Sequence, residues 1–123
     1  GGKSFGGRMT SGAQAASPLE DVLGLVFLGF PLHPAGKPAR ERADHLNNVQ
    51  IPMLFLQGTR DVLAELDELQ PVITSLGKRA TLKLYDPADH SFLVPAKSGR
   101  KDPEVLNEIL DDFAGWVDKV IAT

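Results

Sequence analysis

Residues 23–30 read Leu-Gly-Leu-Val-Phe-Leu-Gly-Phe, and this uncharged apolar run decides the class of fold. Runs of this length and composition are typical of strands that are buried on both faces of a parallel sheet. A second apolar stretch, Pro-Met-Leu-Phe-Leu-Gln, fills residues 52–57 and ends at Gly58. Residues 80–85 instead alternate apolar and polar side chains, which predicts a less buried strand at an edge of the sheet. The sequence therefore predicts an α/β domain with three parallel strands.

Helical patterns flank these strands at residues 6–16, 67–76 and 103–122. The second pattern opens with an expected capping box from Asp67 to Gln70 and carries Pro71 in its first turn. The third has Asp102 as its N-cap and Pro103 at the first helical position. Its apolar side chains recur at helical spacing, and we expect all of them, Trp116 included, to belong to the core. The alternation of helices and strands indicates βα units.

Composition restricts the classes of protein to which this chain can belong. It has 123 residues, of which 42% are hydrophobic and 24% charged, and this predicts one domain over residues 1–123. The longest apolar run, residues 22–32, is too short for a membrane span, which needs about 20 residues. The net charge is −3 and no basic stripe is present, so neither a nucleic acid nor a membrane is expected as partner. Without cysteine there is no thiolate nucleophile, and the usual evidence for an oxidising compartment is absent, although this does not fix the compartment. The expected location is cytoplasmic.

The chain begins with a candidate nucleophile. Gly2-Lys3-Ser4-Phe5-Gly6 matches the pattern G-x-S-x-G, in which the serine lies in a sharp turn between a strand and a helix. We expect both glycines to be required because a Cβ two residues from the serine would collide with the neighbouring backbone. The turn would also place the Phe5 N–H at a helix N-terminus, where it can donate to an oxyanion. The alternative interpretation is a glycine-rich terminal tail.

Two further polar residues follow strand ends and complete a candidate triad. Asp61 comes just after the second predicted strand, and His90 comes just after the third. Sites in open parallel sheets form outside the carboxyl ends of strands, so Ser4, Asp61 and His90 are expected to meet there. A serine nucleophile needs a histidine base, which in turn needs a carboxylate to hold its tautomer. Asp89 competes for the acid role, but adjacent side chains on an extended segment point apart, which favours Asp61.

Four ordered segments, residues 1–9, 30–38, 55–61 and 88–92, resemble those of a known family. The sequence is similar to small α/β-hydrolase-fold proteins usually called predicted hydrolases, close to the dienelactone-hydrolase-like group. This resemblance implies Ser4 as nucleophile, Asp61 as acid and His90 as base. Family members also carry a strand and several strand–helix units ahead of the serine. We therefore interpret the chain as the C-terminal half of an α/β-hydrolase fold, truncated before the nucleophile elbow.

The expected activity is hydrolysis of a small carboxylic ester through an acyl-Ser4 intermediate, with no metal or organic cofactor. A thioesterase or a dienelactone-type hydrolase would use the same triad. The alternative from another class is a weak or inactive fragment that acts as an interaction module or as half of a split assembly. Residues 23–30 are expected to lack a neighbouring strand on the side away from residues 52–57. Such an edge predicts a homo-oligomer or pairing with the absent N-terminal half.

The remaining polar residues carry weaker hypotheses. His33 could line the site entrance, although a solvated loop histidine is favoured, and His45 has no sequence neighbours at metal-ligand spacing. Lys3 and Arg8 flank the elbow and are read as solvated charges, with attraction of anionic substrates as the alternative. Asp111 and Asp112 are expected on an exposed helix face.

Overall fold

Four parallel strands form one sheet in the computed structural model, which describes residues 1–18, 20–33, 36 and 41–122. In sheet order the strands are β1 (Gly2–Lys3), β2 (Leu25–Leu28), β3 (Met53–Gly58) and β4 (Ala80–Tyr85). The helices are α1 (Phe5–Ala16), α2 (Leu66–Leu76) and α3 (Asp102–Ala122). Short 3₁₀ segments lie at Glu41–Asn48, Gly77–Arg79 and Ala96–Ser98. The predicted α/β fold is confirmed.

The sheet differs from the prediction at β1 and β2. β2 is shorter than residues 23–30 because Gly29 has a left-handed backbone, with φ of 72°, and turns the chain away from the sheet. β1 was not predicted, since two residues carry no periodic signal. It pairs with β2 on the side away from β3, placing Gly2 opposite Phe27 and Lys3 opposite Leu28. The expectation that this side of β2 has no neighbouring strand is therefore wrong at these two residues.

Both faces of β3 are buried, as its continuous apolar sequence predicts. All six of its residues are buried. On one face, the rings of Phe27, Phe30 and Phe55 meet, with the Phe27 and Phe55 centroids 4.8 Å apart. On the other face, Leu54 and Leu56 pack in one cluster with side chains of α3. β3 is thus fixed from both sides, and so is the chain that leaves its carboxyl end.

The predicted edge strand is confirmed, since β4 lies at one end of the sheet. Tyr85, its last residue, is buried and donates its hydroxyl hydrogen to Asp112 Oδ2 at 2.7 Å. Burial, together with this hydrogen bond, raises the pKa of Tyr85 above its ordinary value. The expectation that Asp112 lies on an exposed face is therefore wrong, whereas Asp111 is exposed.

Two predictions about the helices are also wrong. α2 begins at Leu66, and its N-cap residue, Glu65, makes no side-chain capping bond, so the capping box from Asp67 does not form. Pro71 is the sixth residue of α2 and lies in its second turn, whereas it was predicted in the first. In α3, Val105 and Ile109 are buried, but other apolar side chains are at least 39% exposed: Leu106, Leu110, Phe113 and Ile121. The apolar stripe of α3 is wider than the surface that the described sheet offers it.

The middle of α1 is held by a contact with the 3₁₀ segment at Glu41–Asn48. Ser11 Oγ and His45 Nε2 lie 2.6 Å apart, and Ser11 Oγ also donates to the Arg8 carbonyl oxygen at 2.9 Å. Partial burial lowers the pKa of His45, and the nearby Arg8 cation lowers it further. His45 therefore joins two elements of the fold, which its position in a polar loop did not indicate.

Candidate active site

Ser4 occupies the turn between β1 and α1, as the motif predicts. Its backbone has φ of 53° and ψ of −123°, a conformation that non-glycine residues rarely adopt. Three backbone hydrogen bonds hold this turn: Ser4 N donates to Leu28 O at 2.9 Å, and Ser4 O accepts from Gly7 N at 3.0 Å and from Arg8 N at 3.2 Å. The strained turn is therefore fixed both to the sheet and to the first turn of α1.

The glycines around Ser4 have different roles. A Cβ on Gly2 would lie 2.5 Å from the Gly6 carbonyl carbon, so Gly2 is required for space. At Gly6, in contrast, no described heavy atom lies within 4 Å of the corresponding position, apart from its chain neighbours and the nearby backbone of α1. The expectation that both motif glycines are required for close approach is wrong for Gly6. The second crowded glycine is Gly7, where a Cβ would lie 2.9 Å from the Gly2 carbonyl oxygen.

Three side chains from separate strand ends meet in one line of contacts. Ser4 Oγ lies 2.7 Å from His90 Nε2, and His90 Nδ1 lies 2.6 Å from Asp61 Oδ2. The Asp61 side chain is fully buried, whereas that of His90 is 19% exposed. Because an ionised carboxylate only accepts hydrogen bonds, Nδ1 carries the proton of a neutral His90 ring, and Nε2 is left to accept from Ser4.

The two candidate acids are clearly separated by their contacts. Asp61 Oδ2 faces His90, while Asp61 Oδ1 accepts a hydrogen bond from Leu63 N at 2.8 Å. Asp89 Oδ1 instead accepts from Ser91 N at 2.9 Å and from Leu93 N at 3.0 Å. Asp89 therefore stabilises the turn that follows His90, and Asp61 is the carboxylate in contact with the imidazole ring.

The Phe5 N–H lies directly after Ser4, at the N-terminus of α1. Phe5 is the first residue of α1, and the first N–H groups of a helix have no acceptor within the helix. They also lie at the positive end of the helix dipole. The Phe5 ring is 60% exposed, and the Arg8 guanidinium carbon lies 5.4 Å from its centroid. Arg8 is thus half-buried against Phe5, while Lys3 is exposed as expected.

His33 has a structural environment that the sequence did not reveal. Its side chain is fully buried, and its Nε2 accepts a hydrogen bond from Glu65 N at 3.0 Å. The hypothesis of a solvated loop histidine is therefore wrong, and a fully buried ring presents no surface to a substrate at the site entrance. Residues 34, 35 and 37–40 of the same loop lie outside the described residues, and four of them (34, 35, 37 and 38) belong to the segment 30–38 used for the family resemblance.

Two residues important to the geometry of this site were not singled out from the sequence. Gly58 lets the segment before His90 pack directly on the end of β3. Gln57 is a fully buried amide beside Asp61, and it could have been found, because it is the one polar side chain in the apolar run 52–57.

Within the described part of the chain, no group of three or more His, Asp or Glu side chains is arranged to hold a metal ion. None of the helices described there is long and apolar enough to cross a membrane.

Solved structures share this fold. The chain superposes on the esterase domain of a Rhodothermus marinus protein with a TM-score of 0.62 and 18% identity, covering 92% of this chain and 57% of that one. A Burkholderia cenocepacia protein assigned as an aryl esterase gives a TM-score of 0.62 and 18% identity, covering 99% of this chain and 64% of that one. 2,6-dihydroxy-pseudo-oxynicotine hydrolase gives a TM-score of 0.56 and 16% identity, and the superposition covers 73% of this chain and 33% of that one. The chain thus spans between one third and just under two thirds of the length of these structures, and at such identities the likeness concerns the fold.

Family membership follows from a match of greater extent. The model of one family, described as an alpha/beta hydrolase domain, matches residues 1–118. This match includes the turn around Ser4, the end of β3 with Asp61, and the segment after β4 with His90. The chain therefore belongs to the alpha/beta hydrolase domain family.

Proposed function

We propose that this hydrolase-family chain is a serine hydrolase of carboxylic esters, with Ser4 as nucleophile, His90 as base and Asp61 as acid. The observation that carries the proposal is the continuous line of hydrogen-bonding contacts from Ser4 Oγ through the His90 ring to Asp61 Oδ2. The esterase descriptions of two structures with the same fold support the choice of substrate class.

In the acylation step, Ser4 Oγ attacks the ester carbonyl carbon while His90 Nε2 takes the hydroxyl proton. The carbonyl oxygen becomes an oxyanion, to which the Phe5 N–H donates, and such a donor contributes about 3 kcal/mol to barrier lowering. The tetrahedral intermediate then expels the alkoxide, which receives the proton from His90. Asp61 keeps the ring oriented and stabilises its charged form, since its carboxylate is buried against Nδ1.

Deacylation uses the same groups with water in place of Ser4. His90 Nε2 takes a proton from water as the oxygen attacks the acyl carbon. Collapse of the second intermediate releases the carboxylic acid and returns the proton to Ser4 Oγ. A thioester would be hydrolysed by the same steps, with a thiolate as leaving group.

The proposal predicts that Ser4 alone reacts with a fluorophosphonate probe. A serine hydroxyl becomes nucleophilic at neutral pH when a base accepts its proton, and Ser4 is in contact with such a base. Intact-mass analysis should show one adduct on the wild type and none on Ser4→Ala. Ser11→Ala is the matched control, because Ser11 also contacts a histidine but is fully buried on α1, and this variant should label like the wild type. Equal labelling of wild type and Ser4→Ala would contradict the assignment.

A second candidate role, pairing with another polypeptide, is favoured by one observation. Exposed apolar side chains of α3 continue to Leu23, which is 61% exposed, and to the residues that lead into β2. Large apolar surfaces of this kind mark protein–protein contacts. Light scattering at micromolar concentration should therefore give a mass above the 13.2 kDa of one chain. A monodisperse monomer with esterase activity would contradict both the pairing and the idea that activity requires it.

A further inference from the structure

Gln57 is the one polar side chain of β3. Gln57 is fully buried, and burial of an amide without hydrogen-bond partners is unfavourable by several kcal/mol in apolar surroundings. Its neighbours along β3 are apolar and equally buried. Its amide oxygen and nitrogen must therefore have specific partners.

The orientation of this amide is fixed by its first partner. Phe30 N, just after β2, donates a hydrogen bond to Gln57 Oε1. A backbone N–H can only donate, so the atom that faces it must be the carbonyl oxygen of the side chain. The amide nitrogen consequently faces the other way, and Nε2 donates to Asp61 Oδ2 at 3.3 Å.

This second partner is the oxygen that faces the proposed base. Asp61 Oδ2 also accepts from His90 Nδ1 at 2.6 Å, whereas Asp61 Oδ1 accepts from Leu63 N at 2.8 Å. Oδ1 thus has one donor, Leu63 N, and Oδ2 has two, His90 Nδ1 and Gln57 Nε2. Rotation of the carboxylate about the Cβ–Cγ bond would break these hydrogen bonds. We propose that Gln57 is a positioning residue that holds the Asp61 carboxylate toward His90, an inference that rests on the proposed triad.

The same side chain also ties the acid to the end of β2. Phe30 follows Gly29, and a Cβ on Gly29 would lie 3.2 Å from His90 Cε1. Gln57 thus connects the backbone beneath the imidazole ring to the carboxylate beside it. If Gln57 only satisfied the Phe30 N–H, its loss would affect the fold but would not act through Asp61. The two roles can be separated by experiment.

The first test is a double-mutant cycle on the 123-residue chain with an activated acetate ester. Gln57→Met keeps a side chain of similar length but cannot donate to Asp61. We expect kcat to fall about tenfold, since a hydrogen bond to a charged group is lost, with KM unchanged. In an Asp61→Ala background, the same substitution should change kcat by less than about twofold, because its target is gone. An equal loss in both backgrounds, or a change in KM alone, would overturn the proposal.

The second test does not depend on turnover. The proton between His90 Nδ1 and Asp61 Oδ2 should give a downfield ¹H resonance, because the bond is short and its acceptor is charged. Gln57→Met should shift or broaden this resonance, and an unchanged resonance would overturn the proposal. If wild-type protein hydrolysed no ester, the proposed function would fail, and this spectrum would still decide the role of Gln57.

If Gln57→Met did not fold, Gln57→Glu would provide the test. It keeps the acceptor for Phe30 N and the side-chain volume, but its carboxyl group loses the donor to Asp61 when it ionises. We expect kcat relative to wild type to fall as the pH is raised from about 6 to about 9. A ratio near one over this range would overturn the proposal.

Discussion

Replacing His90 with alanine is expected to lower kcat for an activated acetate ester by about a million-fold. The ring is the only described group that contacts both Ser4 Oγ and Asp61 Oδ2, so its removal leaves Ser4 without a base. The residual rate would come from substrate binding and from the Phe5 N–H. Steady-state kinetics measures this effect, and circular dichroism checks that the variant is as fully folded as the wild type.

The acid should be less important than the base. Asp61→Asn retains the shape of the side chain but can donate to His90 Nδ1, which favours the wrong tautomer, and we expect a loss in kcat of about ten thousand-fold. Asp111→Asn is the matched control, since Asp111 is an exposed aspartate on α3, and its rate should equal that of the wild type. If Asp89→Asn were the damaging change and Asp61→Asn harmless, the assignment of the acid would be wrong.

The positions of Asp61 and His90 were accessible from the sequence because each follows a recognisable strand, whereas Ser4 was found from its G-x-S-x-G motif. Ser4, Asp61 and His90 each follow a strand of one parallel sheet, and the carboxyl ends of such strands lie at the same edge. Long apolar runs identify buried strands, so β3 could be placed to within one residue. No contact between distant segments was needed for either inference.

The errors have the opposite origin, because they concern features that tertiary contacts create. His33 does lie in a loop, but it is buried there and accepts a hydrogen bond from Glu65 N, a contact between segments that are distant in sequence. β1 exists because two residues pair with Phe27 and Leu28, and such a short strand has no pattern of its own. The spatial need for glycine at Gly7 rather than Gly6 likewise follows from the path of the elbow backbone.

A further large effect is expected at Gly58, which carries no functional group. A Cβ at this position would overlap the carbonyl oxygens of Ala88 and Asp89 and would lie 2.6 Å from the Ala88 carbonyl carbon. These atoms belong to the backbone, and the same segment is bound to the end of β3, since Arg60 N donates to Ala88 O at 2.9 Å. The segment cannot move without moving His90, which follows directly.

Gly58→Ala is therefore expected to reduce kcat by about a hundred-fold, because displacing a catalytic group by about 1 Å costs that much. Overpacking should also lower the free energy of unfolding by about 1–3 kcal/mol, measured by urea denaturation. Gly115→Ala is the matched control: this glycine lies within α3, and no described heavy atom lies within 4 Å of its Cβ position apart from its chain neighbours and the nearby helix backbone. That variant should keep its activity and gain up to about 1 kcal/mol of stability, since alanine favours the helix. Wild-type kcat in Gly58→Ala would show that the His90 segment is held independently of β3, and that close packing at this glycine does not set the geometry of the triad.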